Sequence, residues 1–215
     1  LQVAKLADRL GFEELWIGEM ATYDAFAFAT AAGLQTEHIR LTVGPLSVSV
    51  RTPMTIAMGA ASVADITGRR TAVALGASSV VVVEEWHGRD RTRTATHLAE
   101  SAQILRALLA GEKTDFSGEC ASSKGYKLRL DAVEGPITIA AFGPAAVRAA
   151  ARHADRMLLN MVTPLSVAAL RDQLIRAAEK AGRATPEIAI WLPCAVNPQR
   201  ETIDQLKRGI VGYLA

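Results

Sequence analysis

Apolar positions recur along this chain with two alternating periods. Leu1, Val3, Ala4, Leu6, Ala7 and Leu10 fall at helical spacing and Gly11 stops them, after which Glu14 to Gly18 (ELWIG) reads as a short strand. The exchange then repeats. A helix about Asp24 to Gly33 leads to a strand at 40–47. Pro53, at the favoured first-turn position, opens a helix over Met54 to Ile66 that Gly68 ends, and Thr71 to Leu75 is the next strand. A loop through Trp86 and His87 precedes a long helix from about Thr94 to Ala110. Phe116 to Leu130 breaks the alternation. Gly118 and Gly125 flank short mixed stretches such as KLRL there, so a small hairpin outside the core is expected, as a lid or a decoration. The pattern resumes with strand Ile137 to Ala141, helix Pro144 to His153, strand Met157 to Asn160, helix Pro164 to Ala181, strand Ile188 to Val196 and helix Gln199 to Leu214.

These six strand–helix units leave two architectures, an open doubly wound sheet or a TIM barrel. Five successive strands finish in small, polar or glycine-proline sequences: Gly18-Glu19-Met20, Gly44-Pro45-Leu46-Ser47, Gly76-Ala77-Ser78-Ser79, Phe142-Gly143-Pro144 and Asn160-Met161. A barrel converges such loops on one mouth, whereas an open sheet uses mainly its switch point. No GxGxxG follows any strand, so a barrel, incomplete at both ends, is the expected fold. The interruption at Gly44-Pro45 falls inside an otherwise β-branched, apolar run, where a central strand should lose neither a donor nor a side chain. It signals either a bulge or edge position, or a cis bond, which an X-Pro pair adopts at small cost.

Composition narrows the partners. The chain has 215 residues, half of them apolar, enough for one large core and one domain spanning 1–215. With 24 basic and 22 acidic residues and no basic stripe, nucleic acid is not an expected partner, and a small molecule is. Cys120 and Cys194 stand alone, without CxxC spacing, which points to a reducing, cytoplasmic setting and no structural metal. No apolar run reaches a membrane span's length; Glu84 and Glu85 cut off Val80 to Val83. The chain begins at Leu1, inside an amphipathic repeat and without a targeting pattern, so an upstream segment is expected to be lost or omitted.

The segments GFEELWIGE, LTVGPLSVSVRTP, ALGASS, EEWHGR and ITIAAFGPAAVRAAARHADRMLLN resemble, in order and spacing, the luciferase-like monooxygenases, most of all the branch that uses the deazaflavin coenzyme F420. The resemblance covers nearly the whole chain and implies a (β/α)8 TIM barrel of the bacterial luciferase type, without the first barrel strand and the last strand or helices. It also implies site residues. Gly44 and Pro45, with Leu46, match the position where many relatives hold a non-prolyl cis peptide under the isoalloxazine ring. Ala141, Phe142, Gly143, Pro144 and Ala145 match the cofactor-phosphate region, where free N–H groups at a helix start favour an anion; an ordinary βα turn is the other reading. Ser78 and Ser79 either donate hydroxyls to the cofactor or are plain loop serines.

Glu19 matches an acidic position that meets the deazaflavin edge, but Met20 stands where relatives usually carry His, so imidazole chemistry does not carry over there. Ser79 falls near the glutamate acid of the sugar-phosphate-oxidising members, which argues against that reaction. His87, in Glu85-Trp86-His87-Gly88-Arg89, is the remaining proton carrier, or else a loop anchor beside a buried Trp86. Tyr23 and Asp24 either shape the substrate side or cap a helix. His38, His97 and His153 lack partners at metal-ligand spacing. No nucleophile elbow or Walker loop is present.

The expected activity is hydride transfer between coenzyme F420 and a small organic substrate, with Glu19 and His87 as catalytic residues. An FMN-dependent monooxygenase, and a cofactor-binding barrel that has lost catalysis, are the alternatives. The Ala-, Gly- and Met-rich helix 54–66 suggests close helix packing and a homodimer.

Overall fold

The computed structural model describes residues 1–19 and 21–214. Its elements run α1 (Gln2–Arg9), β1 (Glu14–Ile17), α2 (Ala25–Gly33), β2 (Arg40–Ser47), α3 (Pro53–Thr67), β3 (Thr71–Gly76), a π-helical turn (Val81–Trp86), α4 (Thr94–Leu109), β4 (Asp115–Ser117), β5 (Ser122–Lys124), β6 (Ile137–Ala140), α5 (Pro144–His153), β7 (Arg156–Asn160), α6 (Pro164–Lys180), β8 (Glu187–Trp191) and α7 (Arg200–Leu214). Six strands form one parallel sheet in the order β1-β2-β3-β6-β7-β8. Strand order follows chain order, each crossover carrying a helix, as in a barrel wall rather than a doubly wound sheet.

Local chemistry sets the boundaries. Thr52 caps α3, its Oγ1 accepting from the Thr55 N–H, with Pro53 in the first turn and Gly68 in the left-handed conformation closing the helix. Thr163 and Pro164 repeat that start at α6. The close packing foreseen for the 54–66 helix occurs within the chain, because a Cβ on Gly59 would lie 2.6 Å from the Phe26 ring of α2.

The two faces of the sheet differ. Leu41, Val43, Val73, Leu75, Ile137, Ile139, Met157 and Leu159 are buried on the side that packs against the helices. Register places the alternate residues on the concave side: Trp16, Thr42 and Ala72 in one row, and Ala74, Thr138, Arg156 and Glu187 in another. The curl is tight enough for the outer strands to meet across this concavity. Trp16 of β1 and Trp191 of β8 stack edge to face with centroids 5.6 Å apart. Arg156 Nη1 of β7 donates to both Glu14 carboxylate oxygens of β1 at 3.0 Å, and its guanidinium lies 5.7 Å from the Trp16 ring centroid. Ala72, Ala74, Thr42 and Thr138 are the small residues of the inner face beside this crossing.

Three expectations need correction. The loop through Trp86 is a π-helical turn over Val81–Trp86, entered where the Val83 N–H donates to the Ser79 carbonyl at 3.1 Å and the Val82 N–H to Ser79 Oγ at 3.2 Å. Lys127–Leu130 (KLRL) is not a hairpin strand. The hairpin is β4 with β5, and its tip docks on α4, where the Glu100 carboxylate accepts the N–H groups of Glu119, Cys120 and Ala121 at 2.8 Å each. The last strand ends at Trp191, and Pro193 and Pro198 lie in the irregular segment before α7. No described helix is long and apolar enough to cross a membrane, and both cysteines are free.

Candidate active site

At the C-terminal ends of β1, β2 and β3 the wall opens into a cavity of ≈ 640 Å³. Glu19, Tyr23, Asp24, Pro45, Ser47, Arg51, Ser78, Trp86 and His87 are among its lining residues. Both candidate catalytic residues, Glu19 and His87, therefore share one cavity with Pro45 and Ser78. Met20 lies outside the described residues.

The β2 end is built as either reading of Gly44-Pro45 requires, since both hold at once. The Gly44–Pro45 peptide bond is cis, and the register between β2 and β3 shifts between Val43 and Leu46. Gly44 has φ +126°, and a Cβ there would lie 2.2 Å from the Ala74 carbonyl oxygen, so no larger residue fits. Pro45 then faces the cavity, while Leu46 is fully buried in the core and does not line it.

Beyond the strand the chain turns at once. The N–H groups of Val50 and Arg51 donate to the Ser47 carbonyl at 3.1 and 2.9 Å, which carries Arg51 back toward β1. Its Nε donates to Glu19 Oε2 at 2.8 Å, and its Nη2 reaches both Glu19 Oε1 and Asp24 Oδ2. The guanidinium also sits 5.4 Å from the Phe26 ring centroid. The Glu19 carboxylate raises the already high pKa of Arg51; burial opposes this and Asp24 adds to it. Asp24 serves two ends, since its Oδ1 accepts the Ala27 N–H at 2.9 Å as the cap of α2. Burial pushes its carboxyl up, but that N–H and Arg51 outweigh it and leave the pKa below the ordinary aspartate value. Asp24 thus caps α2, as one of its two readings expected, and it also lines the cavity.

The π-helical turn forms the opposite side. Ser78 has φ +59°, and its carbonyl accepts from Arg91 Nε at 2.9 Å. Trp86 is 57% exposed, which corrects the reading of a buried anchor. The other predicted residues are not brought in. Ser79 uses its hydroxyl to start the π-helical turn. Ala141 is buried, and Phe142, Gly143, Pro144 and Ala145 lie exposed at the start of α5, outside the cavity lining. Among the described residues no cluster of His, Cys, Asp and Glu could hold a metal.

Arg51 and Ser47 are among the lining residues that sequence reasoning missed, with Thr22, Thr52 and Thr55. Arg51 was visible inside LTVGPLSVSVRTP, but its partners are 32 and 27 residues away, and no local spacing announces them.

Parallel strands in sequential order, a curled sheet and a cavity at the strand C-termini define a barrel of the (β/α) class. Within that class the chain belongs to the luciferase-like monooxygenase family, whose model matches residues 1–213. It is 28% identical over 188 residues to a 5,10-methylenetetrahydromethanopterin reductase of Methanolobus tindarius, covering 87% of this chain and 57% of the relative. In structure it is similar to the coenzyme F420 dependent tetrahydromethanopterin reductase from Methanopyrus kandleri, with a TM-score of 0.86 at 20% identity over 99% of this chain and 68% of that one. It is also similar to the oxygenating constituent of 3,6-diketocamphane monooxygenase of Pseudomonas putida in complex with FMN, with a TM-score of 0.70 at 20% identity over 88% and 59%. The chain spans between half and two thirds of the length of the first curated relatives it matches.

Proposed function

We propose that this chain belongs to an oxidoreductase that moves a hydride between coenzyme F420 and a small organic substrate, with both seated in the cavity at the ends of β1, β2 and β3. The observation that carries the reading is the joint presence of Pro45, Glu19 and His87 around that one cavity. Its volume of ≈ 640 Å³ is in the range of small-molecule and cofactor sites, roughly 300–1,000 Å³. The name of the Methanolobus relative, a reductase, and the F420 dependence named for the Methanopyrus structure support the choice of cofactor.

When bound, coenzyme F420 supplies a ring carbon that gives or takes a hydride. The chain's own residues supply position. Pro45 offers a rigid apolar surface to one ring face. Glu19, held from two sides by Arg51, presents a fixed carboxylate that keeps lone pairs for a ligand N–H. His87, on the opposite side of the cavity, holds or releases a proton, and Trp86 screens that side from water. The exposed N-terminus of α5 offers its first free N–H groups to the cofactor phosphate.

The FMN complex of the diketocamphane enzyme favours one second reading, an FMN-dependent monooxygenase. Parallel fluorescence titrations with F420 and FMN separate the two. Saturable binding of F420 alone is expected; binding of FMN alone moves the chain to the monooxygenase reading. Binding of neither leaves a barrel without its chemistry.

A further inference from the structure

We propose that Tyr23 and Trp86 form an aromatic slot in the cavity that takes an uncharged planar ring of the substrate. The slot rests on the reading above that a flavin or deazaflavin sits at the Pro45 wall, and it adds to that reading the class of molecule the cofactor meets.

Two aromatic side chains reach the cavity from separate elements. Tyr23 follows β1 and Trp86 ends the π-helical turn on the opposite side, and both line the space. The Tyr23 ring is held in place. It stacks on Phe28 of α2, with centroids 5.5 Å apart and planes 20° from parallel. That contact covers one face of the phenol, and with Tyr23 70% exposed the other face is free. Trp86 is also more than half exposed, and Val82, four residues before it, adds an aliphatic surface to the lining. Open aromatic faces beside a cavity are surfaces for a ligand to cover. A flat ring covers them best, because stacked or edge-to-face contact adds to the gain from burial alone.

Charge narrows the class further. The lining carboxylates Glu19 and Asp24 both bind Arg51, which leaves an excess of one negative charge. A protonated His87 brings the lining only to neutrality, so an anionic substrate finds no net attraction. A cationic group finds no carboxylate free of partners either. Glu19 is held by two guanidinium nitrogens, and Asp24 divides its oxygens between Arg51 and the Ala27 N–H. Tyr23 and Trp86 are therefore the unengaged surfaces, and they select shape rather than charge.

The test is isothermal titration calorimetry with three bicyclic probes of matched size: 2-naphthol, planar and uncharged; 2-decalol, its saturated counterpart; and 2-naphthoate, a planar anion. Each is titrated into the free wild type and into protein saturated with whichever flavin it binds, and again into Tyr23→Leu and Trp86→Leu, with thermal unfolding of every protein. In the flavin-loaded wild type, 2-naphthol is expected to bind at least 5-fold more tightly than either other probe. Each substitution should weaken 2-naphthol by about 2- to 10-fold, the size of one aromatic pair, and leave 2-decalol within about 2-fold. Equal affinity for 2-decalol, or tighter binding of 2-naphthoate, would overturn the slot. So would flavin binding with no uptake of 2-naphthol, in which case the proposed function stands without it. If neither flavin binds but the free protein prefers 2-naphthol and loses that preference in both variants, the slot stands and the functional reading fails. Should one variant not fold, the other and the wild-type probe series still decide.

Discussion

The end of β2 and the end of β6 have the same kind of sequence, a strand that breaks into glycine, proline and small residues, yet the fold treats them differently. At β2, Gly44-Pro45-Leu46-Ser47 becomes the wall of a cavity, because Arg51 a few residues on reaches back to Glu19 after β1 and to Asp24 before α2. At β6, Phe142-Gly143-Pro144 leads into α5 with Pro144 and Ala145 exposed and, among the described residues, no such crossing side-chain hydrogen bond. A turn motif gives a backbone shape; a site requires side chains from elsewhere to close around it.

Four substitutions break or sharpen that contrast. The largest effect is expected from Leu46→Ala. Leu46 follows Pro45 directly but is fully buried in the core, so the change should cost about 2–5 kcal/mol in denaturant unfolding and leave flavin affinity of the folded protein nearly unchanged. Arg51→Met acts on the clamp itself. Losing charge-assisted bonds to two carboxylates should cost about 1.5–3 kcal/mol and also loosen the cavity, read as a fall in affinity that Leu46→Ala does not show.

Asp24→Ala removes one arm of the clamp together with the cap of α2, for about 1 kcal/mol. It carries a pH signature. The folded-state pKa of Asp24 lies below its ordinary 3.8, so its contribution is complete above that value and is lost as pH falls through the lowered one. The wild type should therefore lose more stability than Asp24→Ala when unfolding is followed from pH 5 down to pH 3. Smallest in stability is Gly143→Ala. A Cβ there meets nothing within 4 Å, so unfolding should shift by no more than about 0.5 kcal/mol, and a several-fold loss of F420 affinity would then report contact with the bound phosphate.

Much of the fold was legible because apolar periodicity and capping residues are local. Pro53, Gly68, Pro144 and Pro164 each marked a helix end that the structure reproduces within a residue or two. The π-helical turn was missed because Val80–Val83 followed by two glutamates carries no helical spacing. Of the candidate site, Glu19, Pro45, Ser78 and His87 were named from strand ends and resemblance, and they meet at one cavity. Arg51 and Ser47 were not, since a guanidinium beside Pro53 looks like any solvated charge until the chain 32 residues earlier is brought against it.

The indole pair has an optical consequence. Of the three tryptophans, two belong to the outermost strands of the sheet and touch only because the sheet is curled, while Trp86 stands apart at the cavity. Trp16 and Trp191 therefore form a built-in curvature gauge. Any state in which the strands stay paired but the sheet flattens will pull the two rings apart and change their coupled near-ultraviolet signal. A ligand that touches only the mouth will report through Trp86 instead, so sheet closure and cavity occupancy can be followed in one unlabelled sample.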